Sequence, residues 1–354
     1  MKYSKIRGCA IIIMLLFLTG CAAEQTVSRR YFWPPLPDRP RIEWKGSYRG
    51  SIDFPKDSFS ESFAMIVGSN DDDYSLVRPI GIAANDAGIV YVTQVGLPFV
   101  SVFNLPKQSV SLLADANAAE LFKIAYGLAT DSEGNIYVSD PEGGKITTLN
   151  SSGAVLQVFP TSPVVGRNTA IAFDRRAKRL LVVDVAKHAI AVFDTTGRHL
   201  FSFGKQGNED GELNYPSAVT INSRDEIIVA DSMNARIQIF DQQGKFLRKF
   251  GERSDRLAGF QAVKGVAVDS EDNIYVTDGR SHSLKIFNIN GDHLITIGGP
   301  FSAIKSGKLA PGGFLLPHGI FIDKSDRIYI ADQLNNRFQV FQFLSDSYLR
   351  SNPL

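Results

Sequence analysis

From about residue 80 to residue 343 the chain reads as short apolar runs separated by polar breaks. Residues 216–251 show the unit most plainly (PSAVTINSRDEIIVADSMNARIQIFDQQGKFLRKFG). Its β-branched and aromatic runs predict four strands, Ala218–Ile221, Ile227–Ala230, Arg236–Phe240 and Phe246–Phe250, because such side chains fit a pleated, packed surface. The breaks between them, Asp231 to Asn234 and Asp241-Gln242-Gln243-Gly244, carry turn chemistry. Glycines end the equivalent third-to-fourth-strand hairpins at Gly153, Gly197, Gly244 and Gly291.

The phrase recurs six times. A small residue opens the first strand at Gly81, Gly127, Ala170, Ala218, Gly265 and Gly319, and the second strand ends at Gln94, Asp140, Asp184, Asp231, Asp278 and Asp332. These two marks are 13 residues apart in five copies and 14 in the third, while the copies repeat every 43 to 54 residues. Such a ruler signals a repeat architecture. The copies resemble the NHL repeat, most closely in DSMNARIQIF and DQLNNRFQVF, and Gly204 to Pro216 is similar to that family's linker between units. The resemblance implies an all-β fold, a six-bladed β-propeller of four-stranded antiparallel blades over residues 61–345. Repeat one departs from the pattern, with Gln94 for the aspartate and Gly96-Leu97-Pro98-Phe99 before its third strand. Repeats three and five lack the family's usual arginine, carrying Ala189 and Ser283 there.

Repeat six stops after its third strand, Arg337 to Phe343, and an orphan run, Phe63 to Gly68, has the shape of a fourth strand. An N-terminal strand is therefore expected to complete the last blade and close the ring, pairing the terminal edges. Residues 346–354 are left as a tail.

Ahead of the repeats, Lys2, Lys5 and Arg7 precede the apolar run Cys9 to Leu18. Ten residues make only ~15 Å of helix, about half a bilayer core. That suits a signal peptide over residues 1–20 better than a membrane span. The following Leu18-Thr19-Gly20-Cys21 resembles the lipobox of bacterial lipoproteins, which implies cleavage before Cys21 and lipid on its sulfur. Two acyl chains suffice for stable anchoring. Ala22 after the cysteine favours the outer membrane over the inner. Residues 21–60 then read as a lipid-anchored tether carrying a proline and aromatic tract, Tyr31 to Trp44, in which prolines enforce extended backbone. The tract suits packing of both tryptophans on the rim of the folded body, or docking of a partner in polyproline form.

Composition narrows the chemistry. The net charge of +1 becomes −2 once the three basic residues of the signal are removed, so nucleic acid is not an expected partner. Cys9 and Cys21 are the only cysteines, which excludes a disulfide framework or a four-cysteine zinc site. One residue per repeat precedes the small first-strand residue, and these should line one opening of the channel: Ile80, Tyr126, Thr169, Ser217, Lys264 and His318. NHL-type peptidylglycine lyases place zinc-binding histidines at comparable positions. Zinc needs three or four converging ligands, and this ring holds only His318; His188, His282, His199 and His293 are dispersed. The second-strand aspartates Asp140, Asp184, Asp231, Asp278 and Asp332 occur too regularly for a calcium cluster of the lactonase kind. They read as structural, with turn bonds and pairs such as Asp231–Arg236 and Asp332–Arg337. Asp71-Asp72-Asp73 reads as a solvated loop. No cofactor or metal set is assigned.

Pro300 to Leu316 stretches the last period, and its Lys305, Lys308 and Phe314 make it a candidate binding loop. The expectation that follows is a non-enzymatic, lipid-anchored module of the bacterial cell envelope. It would dock a protein or peptide on the axial face of Tyr126, Thr169, Ser217, Lys264 and His318, as a monomer or a subunit of a hetero-complex. The alternatives are a metal-dependent hydrolase or lyase of the propeller type, and an accessory subunit of an outer-membrane export or electron-transfer assembly.

Overall fold

Alternation along each strand decides the architecture. In Ile227–Asp231, the residues Ile227 and Val229 pack toward the preceding repeat, while Ile228 and Ala230 pack toward the following one. A strand apolar on both faces must be covered on both faces, and upright blades around an axis do this for every repeat. The computed structural model describes residues 30–55, 74–113, 121–302, 306 and 310–354, and Tyr31–Leu354 forms one compact unit.

Six antiparallel sheets result. Blade one holds Pro79–Ala84, Ile89–Gln94, Val100–Asn104 and Ser109–Leu112. Blade two holds Leu128–Thr130, Ile136–Asp140, Lys145–Leu149 and Val155–Pro160. Blade three holds Asn168–Asp174, Arg179–Asp184, Ala189–Asp194 and His199–Phe203. Blade four holds Pro216–Ile221, Ile227–Asp231, Arg236–Phe240 and Phe246–Phe250, so two of its four expected strands are extended by a residue or two and the other two are as read. Blade five holds Val263–Val268, Ile274–Asp278, Ser283–Phe287 and His293–Gly298. Blade six holds Pro317–Ile322, Arg327–Asp332 and Arg337–Phe343. Six apolar clusters fill the six spaces between neighbouring blades. The outermost strands are half exposed, as in Phe246–Phe250.

An N-terminal strand completes blade six, but it is Ile42–Tyr48, paired antiparallel with Arg337–Phe343. The expected closing run, Phe63 to Gly68, lies outside the described residues. A fifth strand, Tyr31–Trp33, pairs outside Ile42–Tyr48. The tether boundary is corrected accordingly: residues 31–48 belong to the last blade. Trp33 lies edge-on to Phe341 at 5.8 Å, and the Trp44 indole donates to Gln339 Oε1 at 3.1 Å. The tail forms a short helix, Asp346–Ser351, capped by Ser345. Arg39 and Arg41 both reach Asp346.

Candidate functional site

The first strand of each blade runs along the channel, and in five blades its pairing with the second strand slips at one place. The register breaks between Pro79 and Ile82, Asn168 and Ile171, Pro216 and Ala218, Val263 and Gly265, and Pro317 and Ile320. The residue before the small residue sits in each break, and such a bulge re-aims a side chain. The small residue is explained by the neighbouring blade. A Cβ at Gly81, Gly127, Gly265 or Gly319 would lie under 3.0 Å from the carbonyl oxygen of Tyr126, Thr169, His318 or Ile80 respectively. The same carbonyls accept hydroxyls from the preceding blade: Thr93 to Tyr126, Ser139 to Thr169 and Thr277 to His318, each at 2.5 Å.

Ile80, Ser217, Lys264 and His318 from these bulges, together with Tyr126 of blade two, line one narrow throat of about 70 Å³. Thr169 stands apart from it. Its side chain is buried and its hydroxyl donates to the Val183 carbonyl at 3.4 Å. Burial first, then the Lys264 charge, pushes His318 down to about 4, against a hydrogen bond to the Ile80 backbone that pulls the other way. The imidazole is therefore neutral at neutral pH. Burial raises Tyr126, with Arg167 opposing the shift.

Below the throat, Ile82, Leu128, Ile171, Val219, Val266 and Ile320 line both the throat and a second, wider funnel of about 520 Å³. They follow the small residue in every blade and make an aliphatic collar across the channel. The funnel opens among the first-to-second-strand turns. Its carboxylates are engaged: Asp174 with Arg179 at 3.0 Å, Asp225 with Arg176 at 2.7 Å, and Asp323 with Arg327 at 2.7 Å. Asp326 accepts the Ser270 amide and hydroxyl. Asp269 accepts the Asn273 amide and Tyr275 hydroxyl, yet burial pushes it up to about 6. Arg175 also lines the funnel, with its Nη1 shielded from solvent and without a hydrogen-bond partner. Sequence reasoning missed the funnel; the recurring aliphatic residue after the small one was the available signal.

The second-strand aspartates are structural. Asp231 accepts Arg236 Nε at 2.7 Å, and Arg236 in turn donates to the Asn208, Glu209 and Glu212 carbonyls of the preceding linker. Asp332 accepts Arg337 Nε at 2.8 Å, and Arg337 donates to the Gly313 carbonyl at 2.7 Å. Asp140, Asp184 and Asp278 each accept two backbone amides from the segment before their own blade. In blade one Gln94 fills the same place, accepting the Val77 amide. His188 and His282 prove to be fasteners between blades, their Nδ1 atoms accepting the amides of Tyr215 at 3.0 Å and Leu316 at 2.9 Å. Asn336 does the same for Arg78 across the point of ring closure.

Phe314 is corrected from binding loop to core. It is fully buried against Phe341 at 6.0 Å, and it bridges Pro300 as Leu213 bridges Gln206 and Phe260 bridges Arg253. The stretched loop is thus an inter-blade linker with added residues, pinned by the same apolar plug. Lys305 and Lys308 lie outside the described residues, as do Cys21 and Asp71 to Asp73. Among the described residues, no three His, Cys, Asp or Glu side chains cluster as metal ligands. No helix among the described residues is long and apolar enough to cross a membrane.

A six-bladed β-propeller family matches residues 171–249, and the NHL repeat matches residues 260–287. The chain is an NHL-repeat six-bladed β-propeller. No curated protein matches the sequence. Among solved structures, virginiamycin B lyase from Staphylococcus aureus is 15% identical, covers 76% of this chain and 96% of its own, and superposes with a TM-score of 0.54. A protein of unknown function from Bacteroides thetaiotaomicron is 16% identical over 84% of this chain and 75% of its own, at 0.60. A chain of a nidogen/laminin complex is 18% identical over 62% and 79%, at 0.50. At these identities the NHL propeller shares a fold with them, and function has to be argued from its own residues.

Proposed function

We propose that this NHL propeller is a binding module of the bacterial cell envelope, held at a membrane by lipid on Cys21, which docks a protein or peptide partner on its throat end. The observation that carries the reading is the ring of bulges. The blades spend their repeated residues on holding their neighbours, and five of the six present one unrepeated side chain, Ile80, Tyr126, Ser217, Lys264 or His318, at the throat. The exposed Val77, Tyr215, Met233 and Leu334 stand on turns of the same end and supply apolar contact area around the throat. A rigid scaffold with a variable, concave end suits recognition.

A photo-crosslinking residue in place of Tyr126, followed by mass spectrometry of intact cells, tests this. The expected result is one dominant protein or peptide adduct. Adducts confined to probes on the funnel turns would move the site to the other end. A second reading, a metal-dependent hydrolase or lyase, is favoured only by the fold shared with virginiamycin B lyase. Stoichiometric zinc or calcium in the purified protein would raise it above the docking reading.

A further inference from the structure

We infer that the throat is a carboxylate site: the Lys264 ammonium receives a carboxylate presented by a peptide partner, with the Tyr126 hydroxyl and His318 imidazole beside it. The inference deepens the docking reading and rests on it for the peptide that carries the group.

Charge gives the first argument. Lys264 is the one charged residue among those lining the throat, and no Asp or Glu lines it. Lys264 makes no ion pair or hydrogen bond with any described residue. Three other cations at this end of the molecule are engaged. Lys187 donates to the Pro163 and Val164 carbonyls, Lys285 to the Gly259 carbonyl, and Arg167 lies 3.6 Å from Glu142. A lysine held beside the axis without a partner is matched by an anion from outside.

The backbone gives the second. A cation in a propeller channel would be bound by carbonyl oxygens, but those of Tyr126, Thr169 and His318 are turned sideways onto the preceding blade and occupied by its hydroxyls. The polar side chains that line the throat include the Lys264 ammonium, Tyr126 and the imidazole of His318, which burial first and then the Lys264 charge keep neutral.

Size and depth give the third. A throat of about 70 Å³ holds roughly two waters at ~30 Å³ each, which suits a carboxylate head and not a sugar or base. The aliphatic collar of Ile82, Leu128, Ile171, Val219, Val266 and Ile320 lies between the throat and the funnel. An ion would have to shed its water there without replacement. The carboxylate therefore stops at the throat while the rest of the peptide lies on the rim.

The test is calorimetric titration of the purified full-length protein with three peptides: hexaglutamate capped at both ends, an alanine–serine hexapeptide with a free C-terminal carboxylate, and capped hexaglutamine. At least one of the first two should bind one-to-one, the first alone marking an acidic side chain as the source and the second alone a chain terminus. Lys264→Met should weaken that binding at least tenfold at unchanged melting temperature, and Lys264→Arg should retain it. Arg175→Met in the funnel should leave it unaltered. Equal binding of hexaglutamine, undiminished binding by Lys264→Met, or loss in Arg175→Met instead would overturn the inference. A partner crosslinked at Tyr126 whose capture ignores Lys264→Met would also sink it while leaving the docking reading standing. Carboxylate binding lost in Lys264→Met without any crosslinked partner would support the site and remove the docking reading.

Discussion

Throat and funnel are two ends of one channel built from the same six repeats, and their blades are joined in different ways. Around the axis at the throat the first strands are joined through backbone, while His188, His282 and Asn336 clasp the turns farther out: carbonyl oxygens press onto Gly81, Gly127 and Gly265 and take hydroxyls from Thr93, Ser139 and Thr277. At the funnel they are made by side chains. The Ser223 amide and hydroxyl bond Asp272, those of Ser270 bond Asp326, Arg176 pairs with Asp225 at 2.7 Å and Lys324 with Asp86 at 2.8 Å. Asp225, Asp272 and Asp326 share a left-handed turn position, with φ of 61°, 62° and 60°, that blades one and two fill with Gly88 and Gly134. Closure by backbone leaves the adjoining side chain free to differ in every copy; closure by side chains consumes the residues it uses. For that reason the unrepeated throat residues carry the functional reading, and the more numerous charges of the funnel do not.

The sharpest way to break this contrast is a side chain at the backbone joint. In Gly265→Val the new Cβ meets His318 O, Ile320 and Thr277 Oγ1, all under 3.0 Å. Two blades would have to part, so the variant should lose about 3 kcal/mol or more of stability, read as a lowered urea midpoint or as failure to fold. A midpoint within error of the parent protein would mean that the ring has slack at the throat. The funnel joint should yield more gently. Asp326→Ala removes two hydrogen bonds from Ser270 and leaves a β-carbon at φ 60°, at a cost of about 1–2 kcal/mol. Asp326→Gly loses the same bonds but suits that backbone, so it should cost less than Asp326→Ala. The reverse order would show that the backbone at this turn gains nothing from losing the β-carbon.

How far these joints could be read from sequence depended on whether both partners lie in one repeat. The Asp231–Arg236 and Asp332–Arg337 pairs join neighbouring strands five residues apart and were legible. The blade-to-blade clasps, such as Ser223 to Asp272 across 49 residues, were not, because nothing local marks a donor whose acceptor is a repeat away. His188 and His282 were hidden for the same reason. The closing strand was misplaced because an outer strand needs only one apolar face. Ile42 is buried and Trp44 half-buried, while Lys45 is exposed and the register slips between Trp44 and Gly46. IEWKGSY therefore reads more like a tether than Phe63 to Gly68 does. Phe314 was misread because a lone phenylalanine in a glycine-rich loop has no period; only alignment with Leu213 and Phe260 shows it to be a plug.

Acid separates the two ends most finely. His318 at the throat titrates at about 4 when folded against 6.5 in its ordinary state. Between those values the unfolded chain binds the extra proton, so this group's contribution to stability is complete above 6.5 and is lost as pH falls toward 4. Asp269 at the funnel is shifted the other way, to about 6 from 3.8. There the folded chain binds the extra proton, and stability declines as pH rises from 3.8 to 6. Each slope is bounded by about 1.4 kcal/mol per pH unit for one proton, and across pH 4 to 6 the two oppose each other in the parent protein. Melting temperatures measured from pH 4 to 7 should therefore fall less steeply on acidification in His318→Gln and more steeply in Asp269→Asn. Parallel profiles in the two variants would show that neither group titrates as its surroundings require. In Lys264→Met the His318 limb should move to higher pH, because the ammonium that helps hold the imidazole neutral is gone. That shift reads out the charge at the throat with no ligand present.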